Sequence, residues 1–315
     1  MCEFGLSNLF KLESDLKKTV YCIQGPTASG KTSLAIALAK YLGTEVISAD
    51  SRQFYREMNI GTAKPRAEEL TQVPHHFIDN RSIAEPMNVA QFRHEAYPKL
   101  EGLMHRFGAA VVVGGSSQFI DALVDGLDEV PVFPEIRYSL EQQLENQGTT
   151  CLLEELIRLD PEILEHIDQN NPRRVLRALE VVKGSGRTWT SFQKRKATVD
   201  FDVQRFVIDW PRDVLYQRIN QRVDQMVDEG LEHEVLGLLE FRNLTVLNTV
   251  GYKEWFHYFD GNSTKDYVIE KIKQHSRNYA KRQWTWMNRY DHLGVLKPDL
   301  PMPLLDQIQA FLHQP

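Results

Sequence analysis

Cysteine is scarce in this chain: three in 315 residues, Cys2, Cys22 and Cys151, scattered and odd in number. That argues against a disulfide framework and for a reducing, cytoplasmic setting. No Cys/His spacing resembles a zinc site, and the adjacent His75 and His76 are too close in sequence to share a metal readily. No apolar run approaches the roughly 18 residues that cross a bilayer. The opening Met1–Leu6 has no basic region leading into an apolar core, so no secretory signal is expected. Repeats and low-complexity tracts are absent as well. Positive charge is in short supply overall, 37 Lys and Arg against 43 Asp and Glu for a net charge of −6. Its distribution is uneven, however. Between Asn171 and Lys196 eight Lys/Arg stand against Glu180 alone, and between Lys265 and Arg289 seven stand against Asp266 and Glu270. Two basic segments in an acidic chain suggest a local polyanion footprint, the alternative being two solvated helix faces.

What the chain does contain is a phosphate-binding loop. Gly25-Pro26-Thr27-Ala28-Ser29-Gly30-Lys31-Thr32 fits G-x-x-x-x-G-K-[ST]. The context agrees: Thr19–Gln24 reads as a short buried strand before it, and Leu34–Leu42 as a helix after it, ended by Gly43. Such a loop aims backbone N–H groups at one point, where the helix N-terminus adds partial positive charge. Lys31 adds a full charge, and the Thr32 hydroxyl is placed to hold Mg²⁺. The loop predicts a bound phosphate or diphosphate without saying which molecule carries it.

Further along, Glu45–Ala49 predicts a second strand ending at Asp50-Ser51-Arg52-Gln53. Ligands of open α/β sheets bind at the carboxyl ends of strands, so Asp50 falls beside the phosphate loop. Pro74–Asp79 suggests a short extended piece. Val89–Arg106 has helical period, broken by Pro98. Ala109–Val113 is an apolar strand running into Gly114-Gly115-Ser116-Ser117, a further strand end at the crevice. Past about Gly126 the texture becomes helical: Glu135–Glu145, Leu152–Leu159, Pro161–Ile167 and Pro172–Lys183. A strand returns at Val203–Ile208. Asp213 is expected to cap a helix reaching about Glu229. Helices follow near Glu232–Glu240, Gly251–Phe259 and Lys265–Arg289, then a strand at His292–Lys297 and a closing helix at Leu304–Leu312. Residues 1–18 read as a polar leader. The expected fold is α/β: a P-loop NTPase-like parallel sheet core, residues 1–126 and 197–315, with an inserted all-helical lobe, residues 127–196. On these features alone a small-molecule kinase and a non-catalytic RNA-binding module both stay open.

Several stretches together resemble the tRNA dimethylallyltransferase (IPP transferase) family: GPTASGKT at Gly25–Thr32, ISADSRQFY at Ile47–Tyr55, IGTAKP at Ile60–Pro65 and HHFID at His75–Asp79. The match continues with VVVGGS at Val111–Ser116, NPRRVLRALEV at Asn171–Val181, INQRVDQMVDEGLEHEV at Ile219–Val235, TVGYKE at Thr249–Glu254 and YAKRQWTW at Tyr279–Trp286. These run in family order over almost the whole chain. One departure follows the second glycine pair, where the family usually continues G-L-Y and this chain has Ser117, Gln118 and Phe119.

The resemblance implies transfer of a dimethylallyl group from dimethylallyl diphosphate to N6 of the adenosine at tRNA position 37, beside the anticodon, with release of diphosphate. Prenylation of free adenine nucleotides is the near alternative. It implies that the loop Gly25–Thr32, with Mg²⁺ at Thr32, holds the diphosphate, that Lys31 and Arg222 stabilise it as it leaves, and that Asp50 takes the N6 proton with Ser116 beside it. A tRNA-binding set is implied too: Asp50, Ser51, Arg52, Gln53, Ser116, Arg137, Arg173, Arg174, Arg177 and Asn248, Thr249, Val250, Gly251, Tyr252, Lys253. Lys194–Lys196 and Lys281-Arg282-Gln283 suit the same grip. Trp284 and Trp286 suit core packing better than base stacking. The expected partners are the anticodon stem-loop and dimethylallyl diphosphate, with no membrane, the chain acting as a monomer in the cytoplasm.

Overall fold

The structure is a computed structural model that describes residues 18–128, 130–192, 200–290 and 292–312. The expected leader up to residue 17 and the basic run Lys194–Lys196 lie outside the described residues. The chain divides into two compact units, one of residues 1–124 and 199–315, the other of residues 125–198.

The first unit is built on a parallel sheet. Its elements in order are β1 (Thr19–Gln24), α1 (Lys31–Leu42), β2 (Val46–Ser48), α2 (Ala67–Leu70), β3 (His75–His76), α3 (Val89–Phe107), β4 (Ala109–Gly114) and α4 (Ser117–Val124). The sheet order is β3-β2-β4-β1 and then two strands from the second half of the chain. Both faces are covered, which is why the strands read as continuous apolar runs rather than alternating ones. In β1, Val20 and Cys22 face one core with Phe92, Leu100 and Trp255. Tyr21 and Ile23 face the other with Leu34 and Leu38 of α1. Helix α3 runs unbroken through Pro98, correcting the expected break. Pro98 is on the exposed side, so the missing N–H leaves a carbonyl facing water, while Phe92, Ala96, Leu100 and Leu103 stay buried on the other side.

The second unit packs α5 (Pro134–Leu159) against α6 (Pro172–Ser185) around Leu140, Leu152, Leu156, Val175 and Leu179. Helix α5 is two helices joined at Gly148, whose φ of 77° only glycine adopts freely. The buried Glu180 accepts from the Phe133 N–H at 2.9 Å and from Arg177 Nη1 at 2.7 Å.

The chain re-enters the sheet at β5 (Asp202–Ile208), followed by α7 (Arg212–Asp228), α8 (Leu231–Leu236), α9 (Lys253–Phe259), α10 (Lys265–Met287), the edge strand β6 (Gly294–Leu296) and α11 (Leu304–Leu312). Asp213 sits in the first turn of α7 and is not its cap, since Pro211 holds that position without a side-chain bond. An acidic residue there still favours the positive end of the helix.

Candidate active site

Strands β1 and β4 lie side by side with Gln24 opposite Gly114, and β2 flanks β4 with Ser48 opposite Val113. The segments that leave these three strand ends therefore meet: the loop Gly25–Gly30, the turn Gly115–Ser116 and Asp50–Gln53. A Cβ on Gly114 would come within 2.6 Å of the Ala49 carbonyl oxygen, so the close approach of the second and third segments depends on glycine.

The loop is shaped by tying its carbonyls outward. The Pro26 carbonyl accepts from the Ser29 N–H at 3.3 Å and from Lys31 Nζ at 3.3 Å. The Ala28 carbonyl accepts from Arg218 Nε and the Ser29 carbonyl from Trp210 Nε1, both at 2.9 Å. The Arg218 guanidinium stacks over the Trp210 ring at 4.5 Å. Turning carbonyls away from the centre leaves N–H groups aimed into it, next to the free amides of the first turn of α1. Ala28 takes a left-handed backbone, φ 64°, and its methyl packs beside Leu215, Ile219 and Ala280.

In front of the loop opens a cavity of about 840 Å³, lined by Thr27, Lys31, Thr32, Asp50, Ser51, Arg52, Arg218, Arg222, Tyr279 and Gln283, among others. Burial lowers the Lys31 ammonium to about 8, with Asp50 pulling it back up and Arg222 pushing it further down. Arg222 is lowered as well, by burial first and against the opposing pull of Asp50. Two neighbouring cations therefore sit in a desolvated wall where burial outweighs the pull of the nearby carboxylates, an arrangement that favours an added anion. Arg222 Nη2 also donates to the Ala63 carbonyl at 3.3 Å. The carboxylates that could have taken Arg222 into a helix-surface pair are engaged elsewhere: Asp224 with Lys273 at 2.7 Å and Glu229 with Arg66 at 2.9 Å.

On the opposite wall, Asp50 lines the cavity and its Oδ1 accepts from the Arg52 N–H at 3.1 Å. Ser116 Oγ donates to Ser51 Oγ at 3.1 Å and accepts from the Ser51 N–H at 3.4 Å. The Tyr279 hydroxyl is raised by burial and then by Asp50, and is hydrogen-bonded to Ser116. A third wall is the 59–65 loop, held by one carboxylate. Glu234 accepts from the N–H groups of Asn59 (2.9 Å), Ile60 (2.8 Å) and Gly61 (3.1 Å), and from the Tyr252 hydroxyl (2.7 Å).

Of the sequence-predicted catalytic set, Lys31, Asp50 and Arg222 thus line one cavity together with Thr27, Gly30 and Thr32 of the loop, whereas Ser116 is not among the lining residues and reaches the cavity through its bond to Ser51. Several residues expected on tRNA are engaged by groups of the protein itself. Gln53 is buried and donates to the Thr62 and Ala63 carbonyls at 3.2 Å each. The Tyr252 ring is fully buried beneath Gly61, and its hydroxyl is taken by Glu234. Arg177 is held by Glu180 and the Val130 carbonyl (3.1 Å), and Arg137 by Glu141 at 3.0 Å. Gln283 is buried against the phosphate loop. Arg173, Arg174, Asn248 and Lys253 are exposed, and Thr249, Val250 and Gly251 line the cavity. Trp286 donates to Asp121 at 2.9 Å. Phe119, where the family pattern has tyrosine, packs against Phe54 and Phe92 in the core, so that departure reaches the site through no hydroxyl. Sequence reasoning missed Trp210, Arg218, Glu234 and Tyr279. The strand-end rule pointed at the first of these, two residues beyond β5.

Thr32 lines the cavity beside Lys31, and among the described residues no group of three His, Cys, Asp or Glu could hold a metal ion. That fits Mg²⁺ carried in with a diphosphate, since Mg²⁺ commonly keeps its waters and takes one or two protein ligands beside phosphate oxygens. Among the described residues no helix is long and apolar enough to cross a membrane.

A model of the IPP transferase family matches residues 53–290. A tRNA dimethylallyltransferase 1 of Bacteroides fragilis is 40% identical over 295 residues, covering 93% of this chain and 98% of its own length. A tRNA dimethylallyltransferase of Christiangramia forsetii is 45% identical over 269 residues, 85% of this chain and 89% of the other. Among solved structures, the tRNA isopentenylpyrophosphate transferase of Bacillus halodurans superposes with a TM-score of 0.70 at 36% identity, over 94% of this chain and 96% of that one. A eukaryotic dimethylallyltransferase acting on tRNA gives 0.76 at 27% identity, over 89% of this chain and 74% of that one. With the family match spanning well over half of the chain and these relatives covering most of it, this protein belongs to the IPP transferase family.

Proposed function

We propose that this protein transfers the dimethylallyl group of dimethylallyl diphosphate to N6 of adenosine 37 in tRNA. The observation that carries the proposal is the placement of Lys31, Arg222 and Asp50 on one cavity beside the phosphate loop. An allylic diphosphate ionises readily because its cation is delocalised, so the demanding task is to stabilise charge growing on the leaving diphosphate. Preorganised donors in a dry site do that best. The N6–C1 bond forms, the C1–O bond breaks, the electron pair leaves with the diphosphate, and the N6 proton passes to Asp50. Lys31, Arg222 and the amides of Gly30–Thr32 receive the departing charge. Mg²⁺ at Thr32 would supply further neutralisation of the diphosphate when bound. Ser51, held by Ser116, lines the side on which the base arrives.

A stacked loop purine must leave its stack to reach such a cavity. Arg173 and Arg174 are exposed and suit the tRNA backbone. The protein works as a monomer in the cytoplasm. Mass spectrometry of nucleosides after incubation with unmodified tRNA and dimethylallyl diphosphate tests the reaction. The expected product is N6-(dimethylallyl)adenosine, and an unmodified digest would sink the proposal. Heat protection by ATP without protection by dimethylallyl diphosphate would point instead to a kinase.

A further inference from the structure

Gln283 was expected on the protein's RNA-gripping surface, yet it is only 6% exposed. Its Oε1 accepts from the Thr27 N–H at 3.0 Å, and its Nε2 donates to the Gly115 carbonyl at 2.8 Å. One carboxamide thus joins the phosphate loop to the turn that carries Ser116. A Cβ on Gly115 would lie 2.3 Å from Nε2, so glycine at 115 is what admits the amide. The helix that carries it is fixed on two sides: Arg277 Nη1 donates to Asn220 of α7 at 2.6 Å, and Trp286 Nε1 to Asp121 of α4 at 2.9 Å.

We infer that, for the prenyl transfer proposed above, Gln283 is a positioning residue that sets the gap between the donor wall and the acceptor wall. The Thr27 N–H and the Gly115 C=O present a donor and an acceptor to the same planar group. Only a carboxamide of this length answers both while carrying no charge. The distance it fixes is the one along which C1 of the donor and N6 of the acceptor must meet. Misplacement by about 1 Å at such a step costs on the order of 100-fold in rate. The amide touches neither reacting atom, so its effect falls on turnover rather than on affinity for either substrate.

Steady-state kinetics with tRNA and dimethylallyl diphosphate test this through two variants of the full chain. Gln283→Met keeps the length and removes both bonds. It is expected to lower kcat by about 30- to 100-fold while the KM for each substrate stays within about threefold. Gln283→Glu keeps the acceptor for Thr27 but turns a carboxylate on the Gly115 carbonyl, and protonation restores the donor. The ratio of wild-type to variant kcat is therefore expected to shrink as pH falls from about 8.5 to about 6. The titratable and charged groups that line this cavity, Lys31, Asp50, Lys64, Glu69, Asp79, Glu229, Tyr252 and Tyr279 with Arg52, Arg66, Arg218 and Arg222, are present in both proteins and largely cancel in the ratio. An unchanged kcat in Gln283→Met, a loss carried by the KM for tRNA alone, or a ratio for Gln283→Glu flat with pH would each overturn the inference. Should Gln283→Met fail to fold, the pH ratio decides. A wild-type protein that leaves tRNA unmodified strikes the function itself, whereas active wild type with an unaffected Gln283→Met strikes only the positioning role.

Discussion

Arginines and lysines serve opposite ends in the two units. In the sheet unit, Lys31 and Arg222 are sunk beside the phosphate loop, their charged forms disfavoured by burial against the opposing pull of Asp50. In the helical unit, Arg177 and Arg137 lie around the fully buried Glu180, while Arg173 and Arg174 stand exposed. A buried cation short of counter-charge is poised for an anion that arrives. One beside a buried carboxylate keeps the fold together. An exposed one acts at a distance and is screened by salt. Position in the fold, rather than residue type, therefore decides whether a cation does chemistry, stability or recruitment.

The sharpest way to break that division is to remove the pocket cations. Lys31→Ala and Arg222→Ala are each expected to lower kcat by about 100- to 1,000-fold, some 3–4 kcal/mol of barrier. Single-turnover rates would measure this, and unchanged turnover in Arg222→Ala would remove that residue from the site. Next comes Arg177→Ala, which leaves the Glu180 carboxylate buried with the Phe133 N–H as its nearest donor. It is expected to cost about 3 kcal/mol in urea unfolding of the helical unit, and a purely functional loss with unchanged stability would contradict the assignment.

A third expectation follows from the Lys31 ammonium at about 8. A diphosphate bound against it raises that value, so binding takes up a proton and affinity for dimethylallyl diphosphate falls as pH rises through 8. The slope should approach about tenfold per pH unit above 8 and should vanish in Lys31→Met, as titration calorimetry can read. For folding the sign is opposite. The native value lies below the unfolded 10.5, so this group costs stability at neutral pH and the cost fades as pH rises from about 8 towards 10.5. The smallest effect belongs to the exposed pair. Arg174→Ala should weaken tRNA binding by several-fold at low salt and reduce the salt slope by about one, leaving kcat at saturation unchanged.

Much of the scaffold was open to sequence reasoning because the signals are local. The phosphate loop, the flanking strand and helix, and the strand ends at Asp50 and Ser116 follow from glycine spacing and apolar runs. Pro98 misled because a helix break depends on what the other face buries, and that is a tertiary fact. The internal bonds of Gln53, Arg177, Tyr252 and Gln283, which sequence reasoning did not foresee, share one cause. Polar residues near a binding loop read as contacts for a partner, whereas each of these satisfies backbone or carboxylate groups inside the protein. Which way a side chain faces is set by the packing of its element. Glu234 was invisible for the same reason: its partners Asn59, Ile60 and Gly61 lie more than 170 positions away.

The left-handed Ala28 carries a last implication. An alanine in that conformation gives up roughly 1 kcal/mol relative to glycine, yet its methyl is wedged among Leu215, Ile219 and Ala280. The wedge makes the curl of the loop a property of the empty protein, so an arriving diphosphate need not freeze a floppy segment. Replacing Ala28 by glycine would ease the backbone but release the wedge, leaving a looser mould whose affinity for the donor drops even though no direct contact has been removed.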